Sequence, residues 1–326
     1  MITFYTSRKQ YFDHVAPIYR ESKFDKQFVV EAEIAGAVGL AGINPILANS
    51  PSVQHDCVVV SSLQDLFRAL GWHSKHIIFM EHGVGITPSK NAGYAGGTGM
   101  REDVSLFLAP NEYIKKKIIT GIPRAKVEVI GTPKMDQVFY STPLPRQQVP
   151  QVVVSFHWDG SQGISPEAGN AFEHFKKEIP TLGMYYDLYG HGHPRFMHTL
   201  AYYYANAKIP IIHDFFEVMQ RADLYVNDCS STLYEFCVTG KPVVILNSPK
   251  FRRDVHWGIR FWDYTDIGPM VDDPKDLASA VFTQLKNPDQ YKPQREAMVK
   301  DLYPFLGTSA KIATEAIDSF RRSVGL

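Results

Sequence analysis

Short apolar runs that suit buried strands alternate along this chain with longer runs whose apolar residues recur at helical spacing. Cys57 to Val60 is followed by Leu63 to Leu70, His76 to Met80 by a glycine-rich loop, and Ser105 to Leu108 by Asn111 to Thr120. Val127 to Ile130 closes that first set. The alternation predicts an α/β fold with parallel sheets, because a strand that re-enters a sheet in the same direction needs a crossover, usually a helix, to return. A second series begins with the strand Gln151 to Phe156 and a helix near Glu167 to Glu178. Tyr185 to Tyr189, Phe196 to Asn206, Ile209 to His213, Phe215 to Arg221, Leu224 to Val226, Thr232 to Val238 and Val243 to Leu246 continue it. Two Rossmann-like domains are therefore expected.

The length permits this, since 326 residues with 44% hydrophobic content exceed one ordinary core. Ser141 to Gln151 holds three prolines and no apolar periodicity, so it reads as the linker. The expected division is 1–145 and 146–326, with Leu277 to Leu285 and Ala310 to Ser319 as helices closing the second domain. Residues 1–50 are less legible: EAEIAGAVGLAGINPILA reads either as a buried helix or as a loop-rich edge. Lys plus Arg and Asp plus Glu both number 34, so no net field draws the chain to nucleic acid or an acidic membrane. Cys57, Cys229 and Cys237 form neither a zinc spacing nor a disulfide framework, which suggests a reducing cytosol. The start lacks a secretory apolar core, and no run approaches a membrane span. A cytoplasmic protein, soluble or peripheral at a membrane, is expected.

Ligands of open parallel sheets bind beyond the carboxyl ends of the strands, and four polar clusters fall there. In FMEHGVGITPSK, His82 follows a strand directly, and Gly83 and Gly85 permit close backbone approach. An imidazole can take a hydroxyl proton near neutral pH. It can equally serve as a strand-end group hydrogen-bonded for structure. In VIGTPKMDQVF, Lys134 and Asp136 follow Gly131, Thr132 and Pro133, either reaching a cleft or decorating a turn. In LYGHGHPRF, His191, His193 and Arg195 crowd one turn. Guanidinium and imidazolium suit a phosphate there, and a His-x-His metal pair lacks a further ligand. The fourth cluster, NDCSSTLYEF, puts Asp228, Ser230, Ser231 and Thr232 on a strand-to-helix turn. Thr232 and Glu235 have capping-box spacing, so the helix is expected to start with its amide hydrogens available to an anion. Plain N-capping by Thr232 is the simpler reading, and two further hydroxyls exceed its needs.

Other patterns fail. GYAGGTGM lacks the Gly-Lys-Ser/Thr ending of a phosphate loop and reads as a mobile loop near the cleft. No G-x-S-x-G elbow occurs, which argues against a serine hydrolase. The aromatics of LAYYYANA and RFWDYTD read as packing groups, given the balanced charge.

From about Ile77 to Leu285 the order of motifs resembles the CDP-glycerol glycerophosphotransferases of teichoic acid synthesis, of the GT-B superfamily. The His-Gly pair is matched by His82 and Gly83, and the Gly-x-Pro-Arg-Asn-Asp turn by Gly131, Pro133, Lys134 and Asp136. His193 and Pro194 match the His-Pro pair. Asp228, Cys229, Ser230 and Ser231 match the Asp-Tyr-Ser-Ser helix start, followed by Lys241 and Pro242. The chain departs from the family at Ser155 to Gly160, where the usual arginine is missing, and at Lys90, which is displaced from its place after the His-Gly pair. The resemblance implies a metal-independent GT-B transferase. His82 would deprotonate the acceptor, His193 would assist the leaving phosphate, and Arg195, Ser230, Ser231 and Thr232 would hold the donor diphosphate. No cofactor is implied beyond the activated donor, CDP-glycerol or a nucleotide-sugar, and the acceptor would be a glycan, polymer or lipid-linked hydroxyl. Glycosyl transfer is the second reading. A nucleotide-sugar epimerase is the third, with Glu102, Asp103, Asp159 and Asp228 as candidate carboxylates, and a nucleotide-binding module without catalysis is the fourth.

Overall fold

The computed structural model describes residues 1–84, 99–141, 144–145, 147–158, 170–228, 230–247 and 264–326. The expectations attached to Gly85, Lys90, residues 93–98, Asp159, Gly160, Cys229 and residues 260–263 lie outside them. By internal contacts the chain forms two units. One takes in Met1–Val84, the described part of Asn91–Tyr140, and Asp301–Leu326; the other takes in Ser141–Lys300.

The first unit holds a seven-stranded sheet. Its strands are β1 (Ile2–Thr6), β2 (Lys26–Val30), β3 (Ile46–Leu47), β4 (Cys57–Val60), β5 (His76–Met80), β6 (Leu106–Ala109) and β7 (Val127–Val129). They lie in the order β3-β2-β1-β4-β5-β6-β7, every pairing parallel. All residues of β1, β4 and β6 are buried, as expected for strands covered on both faces. Helices α1 (Lys9–Glu21), α2 (Ala32–Leu40), α3 (Leu63–Gly71) and α4 (Glu112–Gly121) lie between them, and the short α5 (Asp136–Phe139) follows β7. The stretch whose sequence allowed either helix or loop is α2 followed by β3.

In the second unit, β8 (Gln151–Phe156), β9 (Asp187–Gly192), β10 (Leu224–Asn227), β11 (Val243–Leu246) and β12 (Met270–Val271) form a parallel sheet ordered β12-β11-β10-β8-β9. Its helices are α6 (Phe172–Phe175), α7 (Ile179–Leu182), α8 (Met197–Asn206), α9 (Phe215–Arg221), α10 (Thr232–Cys237) and α11 (Leu277–Lys286). Helix α12 (Lys292–Leu302) leads the chain back to the first unit. Val152, Val154, Leu224, Val226, Val244 and Leu246 build the core against Leu277 and Val281 of α11. Arg295 of α12 is only 1% exposed, and its guanidinium donates to the carbonyls of Pro288 at 2.7 Å and Gly240 at 3.3 Å.

Three element boundaries in the second unit are corrected. The strand expected at Tyr185 to Tyr189 starts at Asp187 and runs to Gly192, because Gly190 and Gly192 fit beneath α8. A Cβ on Gly190 would collide with the ring of Tyr204, whose hydroxyl lies 3.0 Å from the carbonyls of Val154 and His191. The strand expected at Ile209 to His213 makes one bridge, Ile211 with Gly190. The helix expected near Glu167 to Glu178 is, among the described residues, α6 followed by α7, with Pro180 in the first turn of α7, where its missing N–H goes unused.

The C-terminal helix is the largest correction. Helix α13 (Ser309–Ser323) belongs to the first unit, not the second. Ala313, Ile317 and Phe320 pack with Ile2, Phe4, Phe12, Val15 and Ile18. The sequence shows that apolar stripe, but a stripe does not say which sheet it covers.

Candidate functional site

In each sheet the strand order reverses at one point, where neighbouring connections depart in opposite directions and open a crevice. That point lies between β1 and β4 in the first unit and between β8 and β10 in the second.

Around the first, His82 stands two residues beyond β5 and is exposed. Its Nδ1 lies 2.8 Å from the carbonyl oxygen of Ser61, just beyond β4. A carbonyl only accepts, so Nδ1 carries the proton and Nε2 keeps the lone pair, the tautomer required of a base acting through Nε2. Tyr11 of α1 meets the ring edge-to-face at 5.0 Å, and His14, one turn on, lies 6.2 Å away centroid to centroid. His14 is 4% exposed, and burial, with the charges of Lys134 and His82, holds it well below the usual histidine range. Gly83 follows, half-buried. Glu81, before His82, pairs with Arg101 at 3.7 Å. At the switch point, Ser62 caps α3 by accepting the Asp65 N–H at 3.0 Å, and Asp65 Oδ1 accepts the Ser7 N–H at 3.1 Å. Burial pushes the Asp65 carboxyl up to about 6 against the pull of the Ser7 N–H.

Asp136 is not a cleft residue. Its Oδ1 accepts the N–H of Gly307 at 2.9 Å and of Ser309 at 3.1 Å, and its Oδ2 that of Ala310 at 2.8 Å. It therefore anchors the start of α13 from a distance, because the first amides of a helix need acceptors. Gly131 belongs to the same arrangement. It has φ +78°, and a Cβ there would strike Ser309 and the Pro304 carbonyl. Lys134, half-buried between them in sequence, is the member of this motif whose charge reaches His14.

Around the second crevice, His193 follows β9 with its N–H donating to the Phe156 carbonyl at 2.9 Å. Its Nδ1 accepts the N–H of Arg195 at 3.2 Å. A backbone N–H only donates, so neutral His193 carries its proton on Nε2, opposite to His82. Arg195 lies over the Trp158 ring at 5.3 Å, and the His157 ring is 5.2 Å from that of His193. His191 is buried, with Nδ1 2.8 Å from the Ile212 carbonyl, so it is structural.

Asp228 is fully buried, its Oδ1 accepting the His157 N–H at 3.0 Å and its Oδ2 the Ala171 N–H at 2.9 Å. It ties the ends of β8 and β10 together, so it corrects the reading of Asp228 as an acid or base. Ser231 is the cap position of α10 but makes no side-chain cap bond, and Thr232 is the first helical residue, so the expected Thr232 capping box does not form. The Thr232 hydroxyl pairs with Tyr225 at 2.9 Å instead, and the Thr232 N–H donates to Ser230 Oγ at 3.4 Å. Asn227 Oδ1 accepts the Ser230 N–H at 3.2 Å. With six residues α10 has little axial dipole, so anion affinity at this turn would depend on individual hydroxyls and amides.

Sequence reasoning missed Tyr11, His14, Ser61, His157, Trp158 and Asn227. The one available signal was Tyr11 and His14 three residues apart on a helix, which puts both on one face.

Two parallel α/β units of this kind define the GT-B fold. No known protein family and no curated protein matches the sequence. Among solved structures, the chain is similar to the wall teichoic acid polymerase TagF, in a variant soaked with CDPG. The TM-score is 0.71 at 12% identity, over 100% of this chain and 89% of that one. It is also similar to MnaA of S. aureus in a co-structure with UDP, at TM-score 0.67 and 13% identity, over 100% and 97% of the two chains. The UDP-GlcNAc 2-epimerase of Neisseria meningitidis bound to UDP-GlcNAc gives 0.62 at 15% identity, over 98% and 99%. These likenesses show the fold. Among the described residues no helix is long and apolar enough to cross a membrane.

Proposed function

We propose that this chain is a GT-B transferase that uses a nucleotide-diphosphate-activated donor, in the manner of a CDP-glycerol glycerophosphotransferase. His82 Nε2 removes the proton of the acceptor hydroxyl. His193 Nε2–H, Arg195 and the Ser230 and Ser231 hydroxyls offset charge that gathers on the departing phosphate. Loss of one preorganised donor of this type costs roughly 2.7–4 kcal/mol of transition-state stabilisation. The observation that carries the reading is the opposite protonation of the two histidines. The Ser61 carbonyl makes one a base at Nε2, and the Arg195 amide makes the other a donor at Nε2. A binding module needs neither. Epimerisation has less support, because Glu102 and Asp103 are exposed and both oxygens of Asp228 hold backbone amides.

The test is to incubate the protein with CDP-glycerol, CDP-ribitol and UDP-glucose, with and without polyol and glycan acceptors, and to follow nucleotide release. Acceptor-dependent release of CMP supports the proposal. Release of UDP from UDP-glucose would replace it with glycosyl transfer, and an epimerised donor formed without acceptor would replace it with epimerisation.

A further inference from the structure

Helix α1 follows β1 at the switch point of the first sheet, and its start reverses what a helix terminus favours. The cap position is Arg8, which makes no side-chain cap bond, and the first turn contains no acidic residue. Arg8 and Lys9 are both exposed and join no ion pair among the described residues. The N–H groups of Arg8, Lys9 and Gln10 meet no acceptor among them either, whereas α3, α4 and α9 are capped by Ser62, Asn111 and Asp214. A helix terminus of this kind carries roughly +0.5 charge, so two cations are added to a pole where acids are favoured.

Ser61 is 0% exposed, yet its Oγ has no hydrogen-bond partner. Buried hydroxyls are nearly always paired. Strand side chains alternate between faces, so Ser61 projects on the face of Cys57 and Val59, which pack with Phe12 and Val15 of α1. The register of Phe4 with Val59 sets Ser61 beside Thr6, whose Oγ1 donates to the Arg8 carbonyl at 3.1 Å. The Ser61 carbonyl holds His82 Nδ1 at 2.8 Å, and Tyr11, in the first turn of α1, meets the His82 ring at 5.0 Å. The unpaired hydroxyl therefore stands at the α1 terminus, next to the base. The carboxylate that reaches this turn, Asp65, spends Oδ1 on the Ser7 N–H.

We infer that Arg8, Lys9, the first amides of α1 and Ser61 form a subsite for a phosphate group carried by the acceptor beside the hydroxyl that His82 deprotonates. Successive amides and a hydroxyl give directional donors to the phosphate oxygens, and the two cations supply charge. Assignment to the acceptor rests on the proposed transferase reading, whereas the phosphate subsite itself does not.

The experiment is nitrogen-15 NMR of the full chain labelled at arginine and lysine, with inorganic phosphate raised at constant ionic strength and Arg8→Gln and Lys9→Gln assigning the two amides. A saturable shift of both amides, with a Kd that Ser61→Ala weakens about tenfold, equivalent to about 1.4 kcal/mol, is the expected result. Unsaturable drift, or shifts confined to other residues, would overturn the subsite. Arg8→Asp gives the helix its own cap, so this variant should unfold at a higher temperature in chloride and lose the further rise that phosphate gives the wild type. An equal phosphate-dependent rise in both proteins would also overturn the subsite. Acceptor kinetics separate the two claims: Lys9→Gln should cut the preference for glycerol phosphate over glycerol, as a ratio of kcat/KM, about tenfold. An unchanged ratio with phosphate still bound at α1 would remove the acceptor claim alone. Phosphate binding at α1 without any donor turnover would sink the transferase reading and keep the subsite. Turnover with no phosphate response at α1 would do the reverse.

Discussion

The surroundings of His82 and of His193 use one side chain in two ways. Each imidazole follows a parallel strand, and each spends Nδ1 on a backbone group of its own unit. His82 donates a hydrogen bond to a carbonyl and His193 accepts one from an amide, so the remaining nitrogen of the neutral ring is a lone pair in one and an N–H in the other. The residue type was the same; the polarity of the neighbouring peptide group decided which ring nitrogen keeps its proton.

Substitutions by glutamine sharpen this contrast most. An amide can present an N–H where Nε2–H stood but cannot act as a base, so His82→Gln and His82→Ala should both lower kcat by about 10²–10⁴-fold. His193→Gln should retain clearly more activity than His193→Ala. Rates of nucleotide release check both, and equal loss from the two glutamine variants would break the comparison.

Asp228 and Asp65 provide a second pair, one buried carboxylate at each switch point. Asp228→Ala leaves the His157 and Ala171 amides unpaired, and at about 1–3 kcal/mol per buried group it should destabilise the second unit by several kcal/mol in urea unfolding. Asp65 behaves differently, since burial raises its pKa from 3.8 to about 6. The native state then binds the proton more tightly than the unfolded chain, so stability falls as pH rises from about 4 through 6. The loss is roughly 3 kcal/mol in all. Asp65→Asn should flatten that slope in unfolding curves measured between these pH values; an unchanged slope would place the effect elsewhere.

The smallest expected effect lies at the Arg195–Trp158 contact. Replacing Trp158 by Leu removes a cation–π attraction of about 0.5–1 kcal/mol and should raise the donor KM a few-fold, leaving acceptor KM unchanged.

The strands from β4 to β8, and β10 and β11, were legible because each is an apolar run too short for a helix and bounded by turn residues. β1 and β2 escaped notice, being five residues each in a region with no clear punctuation. The motifs at Gly131–Asp136 and Asp228 were visible as motifs, but their roles were not. Only distant amides, at Gly307 to Ala310 and at His157 and Ala171, show that both aspartates support the backbone. Likewise His14 and Ser61 were ordinary residues until folding set them beside His82.

Apolar periodicity along the chain determined that two parallel α/β sheets would form, because burying those runs is the dominant gain and depends on local spacing. Tertiary structure decided which sheet received α13, which carboxylates became anchors, and which nitrogen of each histidine kept its proton. Those outcomes follow from hydrogen-bond partners far apart in sequence, and a donor or acceptor acquires its role only when the fold supplies its complement.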